Sequence, residues 1–175
     1  PVINAVSDPT AILEDAGSQT INLAGIGDGD ADVTQSLTVT ATSSNTSLIP
    51  NPTVTYTSDN ATGSLAYTPV SDINGTAVIT VTVTDNGGTA NSGVNAKSIT
   101  FTVTVTAVND EPSFTKGSDI TVLEDSGTST TTNWATSIST GPSNESGQTP
   151  TFSVTNNDNS LFSGQPAISS SGVLT

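Results

Sequence analysis

Apolar and polar residues alternate along several stretches of the chain, and threonine fills many of the polar positions. The three longest of these stretches are Ser36–Thr40, Ala77–Thr84 and Ser98–Thr106. A period of two places successive side chains on opposite faces of a β-strand, so one face can be buried and the other hydrated. Threonine suits the hydrated face because its branched Cβ favours extended backbone. Each stretch therefore predicts a half-buried strand, and helical spacing is almost absent.

Clusters of Gly, Asn, Asp and Pro separate these stretches, for example at 25–32, 85–88 and 141–147. Many short strands joined by such turns indicate an antiparallel β-sandwich, so the predicted fold class is all-β. Only 32% of the residues are hydrophobic and 4% are aromatic, which predicts thin cores rich in Val, Ile and Leu. Disorder is the alternative for such a polar chain, but a disordered chain has no reason to alternate strictly over the length of 98–106.

An internal repeat divides the chain into two parts. Leu13-Glu14-Asp15 returns as Leu123-Glu124-Asp125 at an offset of 110 residues. One repeat of this length suits an immunoglobulin-like sandwich, which takes about 100 residues. We therefore predict one domain over residues 1–111 and the N-terminal part of a second domain over residues 112–175.

The second repeat has no counterpart of residues 67–108, which contain the two strongest predicted strands. A sandwich without two of its strands exposes apolar faces and unpaired edges. Two completions are open. Either the same chain continues, or a neighbouring chain supplies the strands, in which case the protein is a filament subunit built from copies of itself.

The acidic composition narrows the possible chemistry. The chain has 16 Asp and Glu against 2 Lys and Arg, and its formal net charge is −14. It offers almost no cationic groups to replace phosphate counterions, so we expect no nucleic-acid partner. It has neither Cys nor His, which excludes thiol chemistry, common zinc sites and His-based triads. Only oxygen ligands remain for a metal, which favours Ca²⁺ or Mg²⁺.

Catalysis and membrane insertion are not expected. Paired carboxylates act in glycosidases, but the low aromatic content offers little surface for stacking a sugar. No apolar run approaches the roughly 18 residues that a membrane span needs. A calcium-assisted carbohydrate-binding sandwich, with a glycan or another cell-surface ligand as partner, stays open as an alternative. The single tryptophan, Trp134, is interpreted as a core residue of a strand in the second repeat.

Five motifs, in the same order, resemble those of cadherin-like repeats in large bacterial surface and extracellular proteins. Leu13-Glu14-Asp15 is similar to their early glutamate, and Asp28-Gly29-Asp30 is similar to their DxD motif. Val70–Asn74 stands where an LDRE motif would be, and Thr84–Gly87 is similar to the xDxG motif. Val108-Asn109-Asp110-Glu111-Pro112-Ser113-Phe114 is similar to the DxNDxxPxF linker.

This resemblance covers the first repeat and the first half of the second. It implies tandem immunoglobulin/cadherin-like antiparallel β-sandwiches, of which the second is incomplete in this chain. It also implies an extracellular or cell-surface protein that extends or assembles and mediates adhesion. The partners would be neighbouring repeats of the same protein.

The resemblance further implies that Ca²⁺ binds where repeats join and makes each joint stiff. The residues implied at the joint within this chain are Glu14, Asp72, Asn109, Asp110, Glu111, Asn144 and Glu145. Those implied at the opposite end of the first repeat, facing a preceding linker, are Asp28, Asp30 and Asp85.

The chain departs from the family pattern at three places. Thr106 or Ala107 stands where the linker has its first Asp, and Asn74 replaces the final Glu of LDRE. In the second repeat, the DxD position is Ser143–Ser146, which keeps one carboxylate. We therefore expect one or two ions at a joint, where the family has three. Other acidic residues are interpreted as solvated turn residues that keep the protein soluble. They are Asp8, Asp32, Asp59, Asp119, Asp125 and Asp158.

Overall fold

The chain folds into two compact units in a computed structural model, Pro1–Val108 (unit 1) and Asn109–Thr175 (unit 2). The structure describes residues 1–30, 34–89 and 93–175. Within them the secondary structure is all-β apart from two short 3-10 helices. The division between the units falls after Val108, and the domain boundaries taken from the repeat stay a prediction.

Seven strands are described in unit 1, and the two longest come from the alternating Thr-rich stretches. The prediction of strands at those stretches is confirmed by β3, β6 and β7. The seven are β1 (Ile12–Leu13), β2 (Gln19–Ala24), β3 (Leu37–Ser43), β4 (Thr53–Thr55), β5 (Thr62–Tyr67), β6 (Gly75–Asp85) and β7 (Ala96–Thr106).

These strands form two sheets. The larger sheet has the order β1-β7-β6-β3, and the smaller sheet has the order β2-β5-β4. Along β6 the residues Ala77, Ile79, Val81 and Val83 are buried, while the residues between them are more exposed. The alternation seen in the sequence therefore separates an inner face from an outer face, as in a β-sandwich.

One strand pair departs from the predicted antiparallel arrangement. β1 runs parallel to β7, with Ile12 opposite Val105, so the larger sheet is mixed. The N-terminal segment first pairs near the end of β2, where Val2 forms an antiparallel bridge to Gly27. It reaches the larger sheet by Asp8, whose Oδ1 accepts the Thr102 N–H of β7 at 2.6 Å. Pro9 follows, and it has no N–H to donate to a ladder. The expectation of a wholly antiparallel sandwich is therefore wrong at this edge.

The core of unit 1 is one cluster of aliphatic side chains with few aromatics. It joins Leu23 and Leu65 of the smaller sheet to Ile79, Val81 and Phe101 of the larger sheet. Each of these five side chains is 2% exposed or less. The prediction of a core rich in Val, Ile and Leu is confirmed for this unit.

Unit 2 contains much less regular structure. Its two strands, β8 (Ser113–Lys116) and β9 (Ala135–Ser139), are antiparallel with an irregularity in register. Two 3-10 helices follow, at Ser143–Glu145 and Asn159–Leu161. Further contact comes from isolated bridges and from Phe114, whose ring meets the Phe152 ring edge-on at 5.1 Å.

The single tryptophan of the chain lies just outside a strand of unit 2. Trp134 precedes β9 and is only half-buried, and its indole N–H donates to the Ser118 carbonyl at 2.9 Å. It is therefore not the fully buried strand residue that the sequence predicted.

Asp32, interpreted as a solvated turn residue, lies outside the described residues. In the part of the chain that the structure describes, no helix has the length and hydrophobicity to cross a bilayer.

Candidate metal site

Glu14 is a buried carboxylate that holds the end of β7. It directly follows β1, and its backbone N–H donates to the Thr106 carbonyl at 3.1 Å. Its side chain is 0% exposed, and Oε1 accepts the Val108 N–H at 2.8 Å. A buried carboxylate is costly unless it is hydrogen-bonded. This contact therefore fixes the backbone at the point where the chain leaves unit 1, and a direct role of Glu14 as metal ligand stays a prediction.

A pair of carboxylates lies at the same end of unit 1. Asp15 is exposed and follows Glu14, while Asp72 is half-buried in the turn before β6. One carboxylate oxygen of Asp15 and one of Asp72 lie within 4.8 Å of each other. Asp72 has a φ of 60°, a left-handed conformation that short polar side chains tolerate. Two like charges this close disfavour each other, and a divalent cation between them would remove that repulsion.

Asp15 is the residue that sequence reasoning missed. In the motif that the sequence resembles, Glu14 is the expected ligand and Asp15 is only its neighbour. A usable signal was present, because the Glu-Asp pair at 14–15 recurs at 124–125. A solvated turn residue has no reason to repeat beside the same glutamate.

Glu145 is the central carboxylate of unit 2 and is 5% exposed. Its Oε1 accepts the Asp110 N–H at 2.9 Å and the Gln148 Nε2–H at 3.2 Å. Its Oε2 is buried and has no hydrogen-bond partner among the described residues. Gly141, at φ 140°, packs so closely that a Cβ there would overlap Oε2. Glu145 therefore holds the backbone of Asp110 through one oxygen, while the other oxygen lies against Gly141.

Asn109, in the predicted linker, belongs to the same hydrogen-bond network of unit 2 as Glu145. Asn109 Nδ2 donates to the Asp110 carbonyl at 3.0 Å, and Asn109 Oδ1 accepts from Gln148 Nε2 at 3.3 Å. Glu111 and Asn144 are both exposed. The structure thus brings Asn109, Asp110 and Glu145 together through hydrogen bonds, and it leaves Glu111 and Asn144 at the surface.

Asp28 and Asp30, predicted for the opposite end of unit 1, lie in the loop after β2. Asp28 accepts the backbone N–H groups of Gln35 at 3.1 Å and of Asp30 at 3.3 Å. These two donors, Gln35 first, hold the pKa of Asp28 below its ordinary value. Asp30 accepts from the Gln35 side chain at 3.4 Å. Both carboxylates therefore have protein donors that organise the loop.

Asp85 ends β6 and is 9% exposed. Its Oδ1 accepts the Gly87 N–H at 2.9 Å, and its Oδ2 lies 3.4 Å from the amino group of Pro1. Among the described residues, Asp28, Asp30 and Asp85 do not form a group whose oxygens all lie within 4.8 Å of one another. A cation site at this end of unit 1 therefore stays a prediction.

A separate open groove runs along β2, β4 and β5. Its volume is about 500 Å³, and hydroxyl and amide side chains such as Asn22, Thr55, Asn60 and Ser64 line it. Among the described residues that line it, Tyr56 is the one aromatic. The groove thus offers hydrogen bonds but little aromatic surface for the glycan alternative, which stays a prediction.

Comparison of the chain with protein-family models, with curated proteins and with solved structures finds no match. The fold and the arrangement of the carboxylates are therefore the basis for a functional proposal.

Proposed function

We propose that this chain is a structural and adhesive module of an extracellular or cell-surface protein, built from cadherin-like β-sandwich repeats. Ca²⁺ stiffens the joint between successive repeats. The observation that carries this proposal is the Asp15–Asp72 carboxylate pair beside the end of β7 that Glu14 anchors. The strong acidity of the chain and its lack of Cys and His direct the choice of metal to a hard cation.

The ligand set follows from what Ca²⁺ requires. Ca²⁺ takes six to eight oxygens from carboxylates, carbonyls and water, with flexible geometry. Asp15 and Asp72 provide the first carboxylates. Asp110 stands two residues after Val108, and two residues span about 7 Å at most. We therefore assign Asp110 as the linker carboxylate, with backbone carbonyls and water as further ligands.

The effect of Ca²⁺ on the stiffness of the joint follows from the charges of the carboxylates. Without a cation, the carboxylates of unit 1 and of the linker repel one another, and this repulsion opposes a fixed joint. A bound Ca²⁺ replaces that repulsion with attraction to a common centre, and so it restricts the linker. Glu145 contributes from the side of unit 2 because it holds the backbone N–H of Asp110. Calcium thus controls the stiffness of a chain of repeats.

Thermal unfolding with calcium and with a chelator tests this proposal. We expect Ca²⁺ at a hundredfold excess over Kd to stabilise the fold by about 2.7 kcal/mol. For a domain of this size, that corresponds to a rise in Tm of roughly 10–20 °C. Asp72→Asn should lose most of this rise, because the substitution removes one carboxylate of the pair.

Asp59→Asn is the matched control. Asp59 is also an aspartate of a turn in unit 1 with left-handed backbone, at φ 71°, and it is exposed. Asn tolerates this conformation as well as Asp does, so both variants change charge without backbone strain. The control should keep the full calcium response. Equal melting temperatures of the wild-type protein in calcium and in chelator would refute the calcium assignment.

A further inference from the structure

Two segments of unit 1 that are far apart in the sequence run side by side in the same direction. β1 pairs in parallel with β7, but the backbone ladder covers only Ile12 and Leu13 of β1. Side-chain hydrogen bonds extend this pairing over residues 8–14 and 102–108. They join Asp8 Oδ1 to the Thr102 N–H at 2.6 Å, Thr106 Oγ1 to the Ile12 carbonyl at 3.0 Å, and Glu14 Oε1 to the Val108 N–H at 2.8 Å.

These hydrogen bonds keep a single register between the two segments. In each of them, the two residues are 94 positions apart in the sequence. The backbone N–H of Glu14 adds a bond to the Thr106 carbonyl at 3.1 Å. A constant offset requires that both segments advance together, as parallel strands do. The pairing therefore extends over the whole of 8–14, although the strand β1 itself has 2 residues.

The paired segments are attached to the core of unit 1. Val103 and Val105 of β7 are 1% and 2% exposed, and Ile12 packs against the same hydrophobic cluster. On its other side, β7 pairs along its length with β6. The segment 102–108 is therefore held by the sheet on one side and by 8–14 on the other. Separation of these two segments is the step that opens this edge of the sheet.

The direction of the two segments determines how they respond to tension. The chain passes through 8–14 near the start of unit 1, and it passes through 102–108 just before the unit ends at Val108. Because the segments are parallel, tension along the chain pulls them in opposite directions along their length. The hydrogen bonds between them lie across that direction, so they lengthen together and share the load. In a hairpin that is opened from one end, the hydrogen bonds break one after another.

We infer that residues 8–14 and 102–108 form a mechanical clamp, which keeps unit 1 folded under tension along the chain. The clamp lies within unit 1 and needs no metal. The inference therefore goes beyond the proposed calcium joint, which concerns the connection between repeats. It gives Asp8 and Thr106, which are both exposed, a role in mechanical strength that their burial does not suggest.

Single-molecule pulling on the full chain tests the clamp. The chain has no Cys, so a pair of introduced cysteines defines the two points at which force acts. Ser7→Cys with Glu111→Cys (the first pair), both at exposed positions, pulls 8–14 and 102–108 past each other. The measurement is made in chelator, so that a failure of the calcium proposal does not affect its outcome.

A second pair of attachment points is the control for the direction of force. Asn74→Cys with Glu111→Cys (the second pair) opens the β6–β7 ladder from its end at Gly75 and Val105, so that its hydrogen bonds break in turn. At a given force, we expect unfolding to be at least about a hundredfold slower with the first pair. This is the factor for two hydrogen bonds at about tenfold each. Equal rates with the two pairs would overturn the inference.

Thr106→Val and Thr104→Val are matched variants on β7. Val keeps the branched shape of Thr, so each substitution removes only the hydroxyl. The Thr106 hydroxyl bonds to the Ile12 carbonyl, whereas the Thr104 hydroxyl has no partner in 8–14 among the described residues. With the first pair, Thr106→Val should raise the unfolding rate up to about tenfold, and Thr104→Val should leave it unchanged. With the second pair, Thr106→Val should have a smaller effect. An equal effect of the two variants, or an equal effect of Thr106→Val with both pairs, would also overturn the inference.

Discussion

Ile79→Ala is expected to lower the free energy of unfolding of unit 1 by about 2–5 kcal/mol, the range for removing a large aliphatic side chain from a packed core. Ile79 is 0% exposed and lies at the centre of β6, opposite Phe101 of β7. The substitution removes apolar contacts and leaves a cavity between the sheets, which close-packed neighbours fill only in part. Urea unfolding in chelator measures the effect, because the midpoint should fall while the slope stays the same.

Val78→Ala is the control for the core prediction. Val78 is the neighbouring residue of the same strand, and its side chain is 40% exposed on the outer face. Its truncation should cost less than about 1 kcal/mol, the span of β-propensity effects. If the two variants had equal stability, the alternation would not separate an inner from an outer face, and the assignment of the core would be wrong.

Glu14→Ala is expected to lower the stability of unit 1 by about 2–4 kcal/mol, even in chelator. The substitution removes a fully buried side chain and the acceptor of the Val108 N–H. An unsatisfied buried N–H costs about 1–3 kcal/mol, and the cavity adds to this. Chemical unfolding followed by circular dichroism measures the loss.

Glu14→Gln separates two roles of Glu14: the hydrogen bond that it accepts from Val108 and the negative charge that it carries. The glutamine carbonyl still accepts the Val108 N–H and fills the same volume, so stability in chelator should fall by less than about 1 kcal/mol. The negative charge that precedes Asp15 in the sequence is removed, so the calcium-dependent gain in stability should decrease. If Gln and Ala were equally destabilising in chelator, the carboxylate charge, and not the hydrogen bond, would be what the buried site requires.

The strands that could be predicted from the sequence are the long ones. β6 and β7 repeat the alternation of apolar residues with Thr over 11 residues each, so the period of two is clear. β1 has 2 residues and β4 has 3, which is too short for any period to be visible. Their positions depend on neighbours distant in the sequence, as does the parallel pairing of β1 with β7.

The residues of the candidate site are easier to predict from the sequence than their positions in the structure. Motif spacing pointed to Glu14, Asp72 and Asp110, and the structure places Glu14 and Asp72 at the same end of unit 1. The full burial of Glu14 could not be predicted, because it depends on the packing of β1 against β7. Asp15 was missed because a motif identifies a residue type and not the direction in which its neighbour points.

The opposite end of unit 1 shows a second limit of sequence reasoning. Asp28, Asp30 and Asp85 have the spacing of calcium ligands in the motif they resemble. In the structure, Asp28 and Asp85 accept hydrogen bonds from backbone N–H groups of their own loops. Loop closure and metal binding use the same residue types, so the sequence alone cannot separate them.

We propose that Asp72, at the end of unit 1, and Asp110, in the linker, both contribute to binding Ca²⁺. Titration calorimetry of the full chain with Ca²⁺ tests it most directly, with Asp72→Asn, Asp110→Asn and Asp59→Asn in parallel. We expect one or two bound ions in the wild-type protein and unchanged affinity in Asp59→Asn. Affinity should be at least about tenfold weaker, or about 1.4 kcal/mol, in each of the first two variants. No measurable binding by the wild-type protein, or equal affinity in all four proteins, would contradict it.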